Sequence, residues 1–149
     1  MSEKILIKKF HACMRPEWVS YQIETPSTAS GFPDRYFAVP GRHGLIEFKY
    51  LPSWPARRGT VVKVEHFTPK QKAFLNIPGM MAGHGVFLVI QIGPLDVFIF
   101  DYKGAQHVGT LTRGEFDAVA LLHFHFKSFN NKERRAILRA RILEVLKKW

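Results

Sequence analysis

Asp34 follows Pro33, and thirteen positions after it the chain reads Glu47-Phe48-Lys49. An acid and an amine two residues apart on a strand project to one face, with Phe48 on the other. Leu45, Ile46 and Phe48 around them are apolar, so the strand is expected to be buried. A carboxylate and an ammonium carried into such surroundings are costly unless they are paired or put to use. A hairpin over residues 32–50 brings Asp34 beside Glu47, and two converging carboxylates repel each other until a divalent cation joins them. Hard oxygen donors favour Mg²⁺ or Mn²⁺. Such an ion polarises a scissile phosphate and activates a bound water, while Lys49 orients that water or offsets charge building on the phosphate. The plainer reading is a Glu47–Lys49 ion pair and a turn-forming Pro33-Asp34. The order and spacing of all three on one hairpin favour the metal reading.

These residues need elements to hold them. Ser2 is placed to cap a helix through about Met14, with Ile7, Phe10 and Met14 on one face and Pro16 beyond it. Residues 21–24 alternate as a short strand, and residues 25–31 read as a loop. Phe32 to Val39 and Leu45 to Tyr50 are the hairpin strands, joined by a turn over Pro40 to Gly44. Leu51 to Phe67 reads as a basic loop with one extra strand near Val61 to Val64. Thr68-Pro69-Lys70-Gln71 opens a helix with a capping box and proline in the first helical position, running to about Ala82. Val86 to Ile92 and Val97 to Tyr102 are strands. Thr112 caps a helix to about Leu122, and Asn131 caps a last one with Leu138, Ile142, Val145 and Trp149 on one side. The pattern is a mixed α/β domain built around a sheet, and it contains no internal repeat.

The chain has 149 residues, 46% of them hydrophobic, and a formal net charge of +10. That length is enough for one domain with its own core, and the positive field favours polyanions, DNA foremost. Cys13 is the only cysteine, which excludes an internal disulfide and a cysteine zinc cage and suits a reducing cytoplasm. The N-terminus lacks the apolar run of a secretory signal. The most apolar stretch, Val86 to Phe100, is interrupted by Gln91, Gly93, Pro94 and Asp96, so no membrane span is expected. A phosphate-binding loop and a dinucleotide fingerprint are both missing, so no nucleotide cofactor is expected. The seven histidines have no HExxH spacing; His66, just before the Gln71 helix, is the one nearest the candidate chemistry.

Pro33-Asp34 with Glu47-Phe48-Lys49 resembles the signature of the PD-(D/E)xK nuclease superfamily. The likeness is to its virus-type replication-repair nuclease (VRR-NUC) branch and the archaeal-type Holliday junction resolvases. The Gly31-Phe32-Pro33-Asp34 context, the Thr68–Gln71 helix start and Gly83-His84-Gly85 before an apolar strand fit that branch, over about residues 3–102. The resemblance implies a restriction-endonuclease-like core of helix, three strands, helix and two strands. A C-terminal helical extension over about 103–149 follows, all within one nuclease domain. It also implies a metal held by Asp34, Glu47 and the Phe48 carbonyl, with Lys49 catalytic and Gln71 supporting the site. A further acidic residue is Glu3 or Glu24; Glu3 is equally explained by first-turn dipole stabilisation.

Around the site, Arg57, Arg58, Lys63, Lys70 and Lys72 are candidates for phosphate contacts, or else a solvated charged face. The basic side of the last helix is a further candidate DNA surface. The expected activity is hydrolysis of DNA phosphodiesters, with branched DNA as a refinement and a homodimer suited to a four-way junction. The competing readings are a non-catalytic nucleic-acid-binding module and a scaffold protein. Residues 51–67 are longer than a minimal version of this fold needs, and the tail after Lys103 has no counterpart in the resemblance; substrate choice is expected to lie in either.

Overall fold

The computed structural model describes residues 1–23, 33–76 and 85–148. Expectations for Glu24, Gly31-Phe32, Gly83-His84 and Trp149 therefore lie outside the described residues. Helix α1 (Glu3–Met14) starts where Ser2 Oγ accepts from Ile5 N at 3.3 Å. It buries Leu6, Phe10, Cys13 and Met14, an i, i+4, i+7, i+8 stripe that leaves Ile7 at its margin.

Six strands form one sheet in sequential order. They are β1 (Val19–Gln22), β2 (Arg35–Val39), β3 (Arg42–Leu51), β4 (Gly85–Ile92), β5 (Asp96–Asp101) and β6 (Leu122–His125). Only β3 and β4 run parallel; the other neighbours are antiparallel. The β2–β3 turn is tighter than expected, with Val39 paired to Arg42 across Pro40-Gly41. Gly41, at φ +79°, takes the position that strains other residues, and proline before it presets the first turn residue. Strand β2 begins at Arg35 and not at Phe32, because Pro33 has no N–H for a ladder and Asp34 gives its own to Glu47.

The parallel step from β3 to β4 requires a crossover, and helix α2 (Pro69–Leu75) lies on it. Its start is as predicted: Thr68 and Gln71 form a reciprocal capping box with Pro69 in the first turn. The described helix is capped at Asn76, and the expected continuation to about Ala82 lies outside the described residues. No strand forms over Val61–Val64. Val61 makes only an isolated bridge to Thr112, while Val62 and Val64 insert into the core.

Two apolar layers flank the sheet. On one face Ile46, Phe48, Val89 and Ile99 pack under α1 and the last helix. On the other, Leu45, Leu88, Ile90, Phe98 and Phe100 lie beneath Val62, Phe67, Leu75 and Phe116. The C-terminal part departs from the expectation of helices alone. Asp101 ends β5 and caps a short helix, α3 (Tyr102–Ala105), by accepting from Gly104 N at 2.7 Å. Helix α4 (Arg113–Val119) stops before Leu122, because Leu122 and Phe124 alternate into the core as β6 and pair with β5. A 3₁₀ segment (Phe126–Asn130) leads to α5 (Lys132–Lys148), where Asn131 Oδ1 accepts from Glu133 N and Arg134 N, both at 3.0 Å. This helix buries Leu138, Ile142, Leu143 and Leu146, leaving Val145 at the edge of the stripe.

The parallel pair is pinned where Gly44 faces Gly85. A Cβ on Gly44 would run into the Gly85 carbonyl and the Phe37 ring. Gly44→Ala is expected to lower the urea midpoint by about 1–3 kcal/mol of stability with an unchanged m value. Gly59→Ala, with no neighbour within 4 Å, should stay within about 0.5 kcal/mol of the parent.

Candidate active site

Strand β2 leaves β3 after the Arg35–Ile46 pair, one residue before Glu47. Instead of continuing the ladder, Asp34 N donates to Glu47 Oε2 at 2.9 Å. Glu47 Oε1 accepts from Lys49 Nζ at 3.0 Å and from Gln71 Nε2 at 3.3 Å. The structure thus brings Asp34, Glu47, Lys49 and Gln71 together. Glu47 and Lys49 are 1% and 6% exposed, as the apolar strand around them predicts. Burial is the main cause that pushes the Glu47 carboxyl up to about 7, and the Asp34 charge adds to it. The Lys49 ammonium and the bonds from Lys49 and Asp34 work in the opposite direction.

Gln71 satisfies both of its sequence readings at once. Its Oε1 accepts from Thr68 N at 3.0 Å, closing the cap, while its Nε2 reaches Glu47. The N-terminus of α2 and the middle of β3 are therefore tied by one amide.

The register also orients the Phe48 backbone. Ile23 N donates to Asp34 O at 2.7 Å, so even-numbered residues of β2 turn their backbone groups toward β1 and odd-numbered ones toward β3. Arg35 pairs with Ile46, and by the same alternation Phe48 turns its N–H and C=O to the side that β2 has vacated.

Asp34 is exposed, and with Glu3, Lys4, Ile7, Gln22 and Arg35 it lines a cleft of about 230 Å³. Glu3 is half-buried at the start of α1. Burial raises its pKa most, Lys49 opposes this, and Asp34 raises it further, so its carboxylate lies within electrostatic reach of both. No group of three or more His, Cys, Asp or Glu side chains among the described residues is arranged to hold an ion by itself. Asp34 and Glu47 with one backbone carbonyl form a smaller donor set. It fits Mg²⁺, which commonly takes one or two carboxylates and completes its shell with water and substrate oxygens. The observation behind that fit is Glu47 itself, a buried carboxyl whose pKa a second carboxylate raises.

The basic residues divide. Arg57, Arg58, Lys63 and Lys70 are exposed. Lys72 is half-buried, its ammonium 5.7 Å from the centre of the Phe67 ring and close to Gly109. Helix α5 packs on the sheet face opposite to Glu47 and Lys49, so its basic side does not line this site. Two residues near the carboxylates had no role in the sequence reading. Arg35 follows Asp34 directly and Lys4 follows Glu3, and that adjacency was their only signal. His66 lies close enough to Lys49 that the ammonium, after burial, helps to lower its pKa.

No family model matches this chain, and no curated protein sequence does. Its fold is similar to the solved structure of Hjc, a Holliday junction resolvase from the archaeal hyperthermophile Archaeoglobus fulgidus. The TM-score is 0.50 with 10% identity, over 85% of this chain and 93% of the resolvase. The chain thus has an α/β core of the restriction-endonuclease type, with further elements at its C-terminal end.

Proposed function

We propose that this chain is a nuclease that hydrolyses DNA phosphodiester bonds with Mg²⁺ or Mn²⁺. In this reading Asp34, Glu47 and the Phe48 carbonyl hold the ion, Glu3 adds negative charge beside it, and Lys49 is the catalytic amine. The observation that carries the reading is the buried Glu47 carboxylate, which gathers Asp34, Lys49 and Gln71 on one strand of a resolvase-like fold. When bound, the ion polarises the phosphate and lowers the pKa of a water. Lys49, fixed by its 3.0 Å bond to Glu47, presents an ammonium to the attacking water or to the charge gathering on the phosphate. Gln71 is a positioning residue: it holds Glu47 in place from α2.

The fold similarity supports a refinement to branched DNA, because the similar structure is that of a Holliday junction resolvase. A homodimer would place two such sites on the two halves of a four-way junction. The net charge of +10 supports DNA as partner. No described helix is long and apolar enough to cross a membrane. The second reading is a non-catalytic binding module. It is favoured by one observation, that both Glu47 oxygens already have protein donors.

Linear, nicked and four-way-junction DNA incubated with Mg²⁺, Mn²⁺ or EDTA separate these readings. The nuclease should cut with metal and not with EDTA. Asp34→Ala or Lys49→Ala should slow cleavage by roughly 10³-fold while DNA binding persists. Metal-replete protein that cuts none of the substrates would sink the reading and leave the binding module.

The Glu47 carboxyl also sets a pH dependence. Its ordinary value is 4.5 and its folded value is about 7, so between these the folded state holds more protons than the unfolded one. The contribution of Glu47 to stability without metal should therefore fall as pH rises through this window, while His11, whose pKa burial lowers from 6.5 to about 4, contributes in the opposite direction. The difference in stability between the parent and Glu47→Gln isolates this contribution: it should move against the parent as pH rises from 4.5 to about 7, and added Mn²⁺ should reduce the change. Urea unfolding across the window checks this, and identical pH profiles for the two proteins would contradict it.

A further inference from the structure

A second cleft, of about 160 Å³, opens on the same sheet face as Lys49 and is lined by Trp54, Arg58, Asp96, Arg113, Asp117 and His123. Three of the four oxygens of its two carboxylates have a partner. Asp96 Oδ2 accepts from Trp54 Nε1 at 2.8 Å, and its Oδ1 lies 2.9 Å from His123 Nε2. Asp117 Oδ1 is 2.6 Å from the other ring nitrogen of His123. The His123 ring is stacked on Phe98 at 4.2 Å, so the bridge between the two acids is held from below. Neither Arg58 nor Arg113 forms an ion pair with a described acidic residue, although Arg113 is near enough for its charge to act on Asp96. Arg113 lies over the Trp54 ring at 4.8 Å, an arrangement that fixes the plane of its guanidinium.

The fold does not need both arginines here. Trp54 is anchored by Asp96 and by edge contacts with Phe98 and Phe116, and Arg58 is exposed. A pair of guanidinium groups, one oriented by an indole and neither paired with a described acidic residue, presents planar forks of N–H donors that suit the oxygens of a phosphate. The register sets its distance from the chemistry. Lys49, Ile90, Phe98 and His123 are consecutive partners across β3 to β6. Three strand spacings of about 4.8 Å put the cleft roughly 14 Å from Lys49. A duplex covers that length in about four base-pair steps.

We infer that Arg58 and Arg113 form a phosphodiester-binding subsite that grips the DNA backbone about four nucleotides from the bond cut at Lys49. Its position on the substrate rests on the nuclease reading; its affinity for DNA does not.

The test uses the full chain and a 30-base-pair duplex, with binding followed by fluorescence anisotropy in Ca²⁺ over a salt series. Arg58→Ala and Arg113→Ala should each weaken binding by roughly five- to tenfold, and the double variant should flatten the salt slope by about one to two. Thermal melting of Arg58→Ala should match the parent, so its loss of binding reports the cleft and not unfolding. A single neutral methylphosphonate about four nucleotides from the cut should weaken binding of the parent and leave the double variant unaffected. Unchanged affinity and salt slope in both single variants would overturn the subsite. Failure of the parent to cut, with binding still lost in the variants, would instead overturn the nuclease reading and leave the subsite standing.

Discussion

The carboxylate of Glu47 is the point on which the site depends. An acid on the central strand, 1% exposed, is tolerable only with its lone pairs occupied. The three donors that occupy them come from different parts of the chain: the Asp34 amide at the end of β2, Lys49 on β3, and Gln71 on α2. Satisfying one buried group therefore fixes where β2 stops, how the crossover helix sits, and which way the lysine points. Among the described residues, the edge of β3 beyond Ile46 has no antiparallel neighbour. There Phe48 turns its carbonyl to the side that β2 has left.

Much of this was legible in the sequence, for local reasons. The period-2 placement of Glu47 and Lys49 needs only strand geometry. The Thr68–Gln71 box and the Ser2 and Asn131 caps are contained within a few residues, and all three helix starts fall where those side chains put them. What was missed depends on distant contacts. Residues 122–125 pair as a strand only because β5 offers an edge to them, and Val62 and Val64 are drawn into the core instead of forming a ladder. In α1 the buried stripe runs through Leu6 and leaves Ile7 at its margin, a choice that the sheet makes and the helix period alone does not. Within the site, the convergence of Asp34 on Glu47 followed from the hairpin. The bond itself goes through the Asp34 amide, which no reading of side-chain types could supply.

The sheet separates the basic surfaces. Helix α5 carries many cations, yet it covers the face opposite to Lys49. The face that bears Glu47 and Lys49 instead carries the Trp54 and Arg113 cleft, built from the 51–67 segment and the C-terminal elements. The first is the segment longer than a minimal version of the fold needs, and the second follows the part of the chain that carries the resemblance. A shared core with its own additions on the working face is how one fold comes to serve different substrates.

In the proposed reading the Asp34–Glu47 pair binds a divalent cation. Crystals soaked in Mn²⁺ and measured at the manganese absorption edge test it most directly. One anomalous peak is expected between the two carboxylates and the Phe48 carbonyl. Crystals showing no peak there at saturating Mn²⁺, with Glu47 still bonded to Lys49 and Gln71 as before, would contradict it.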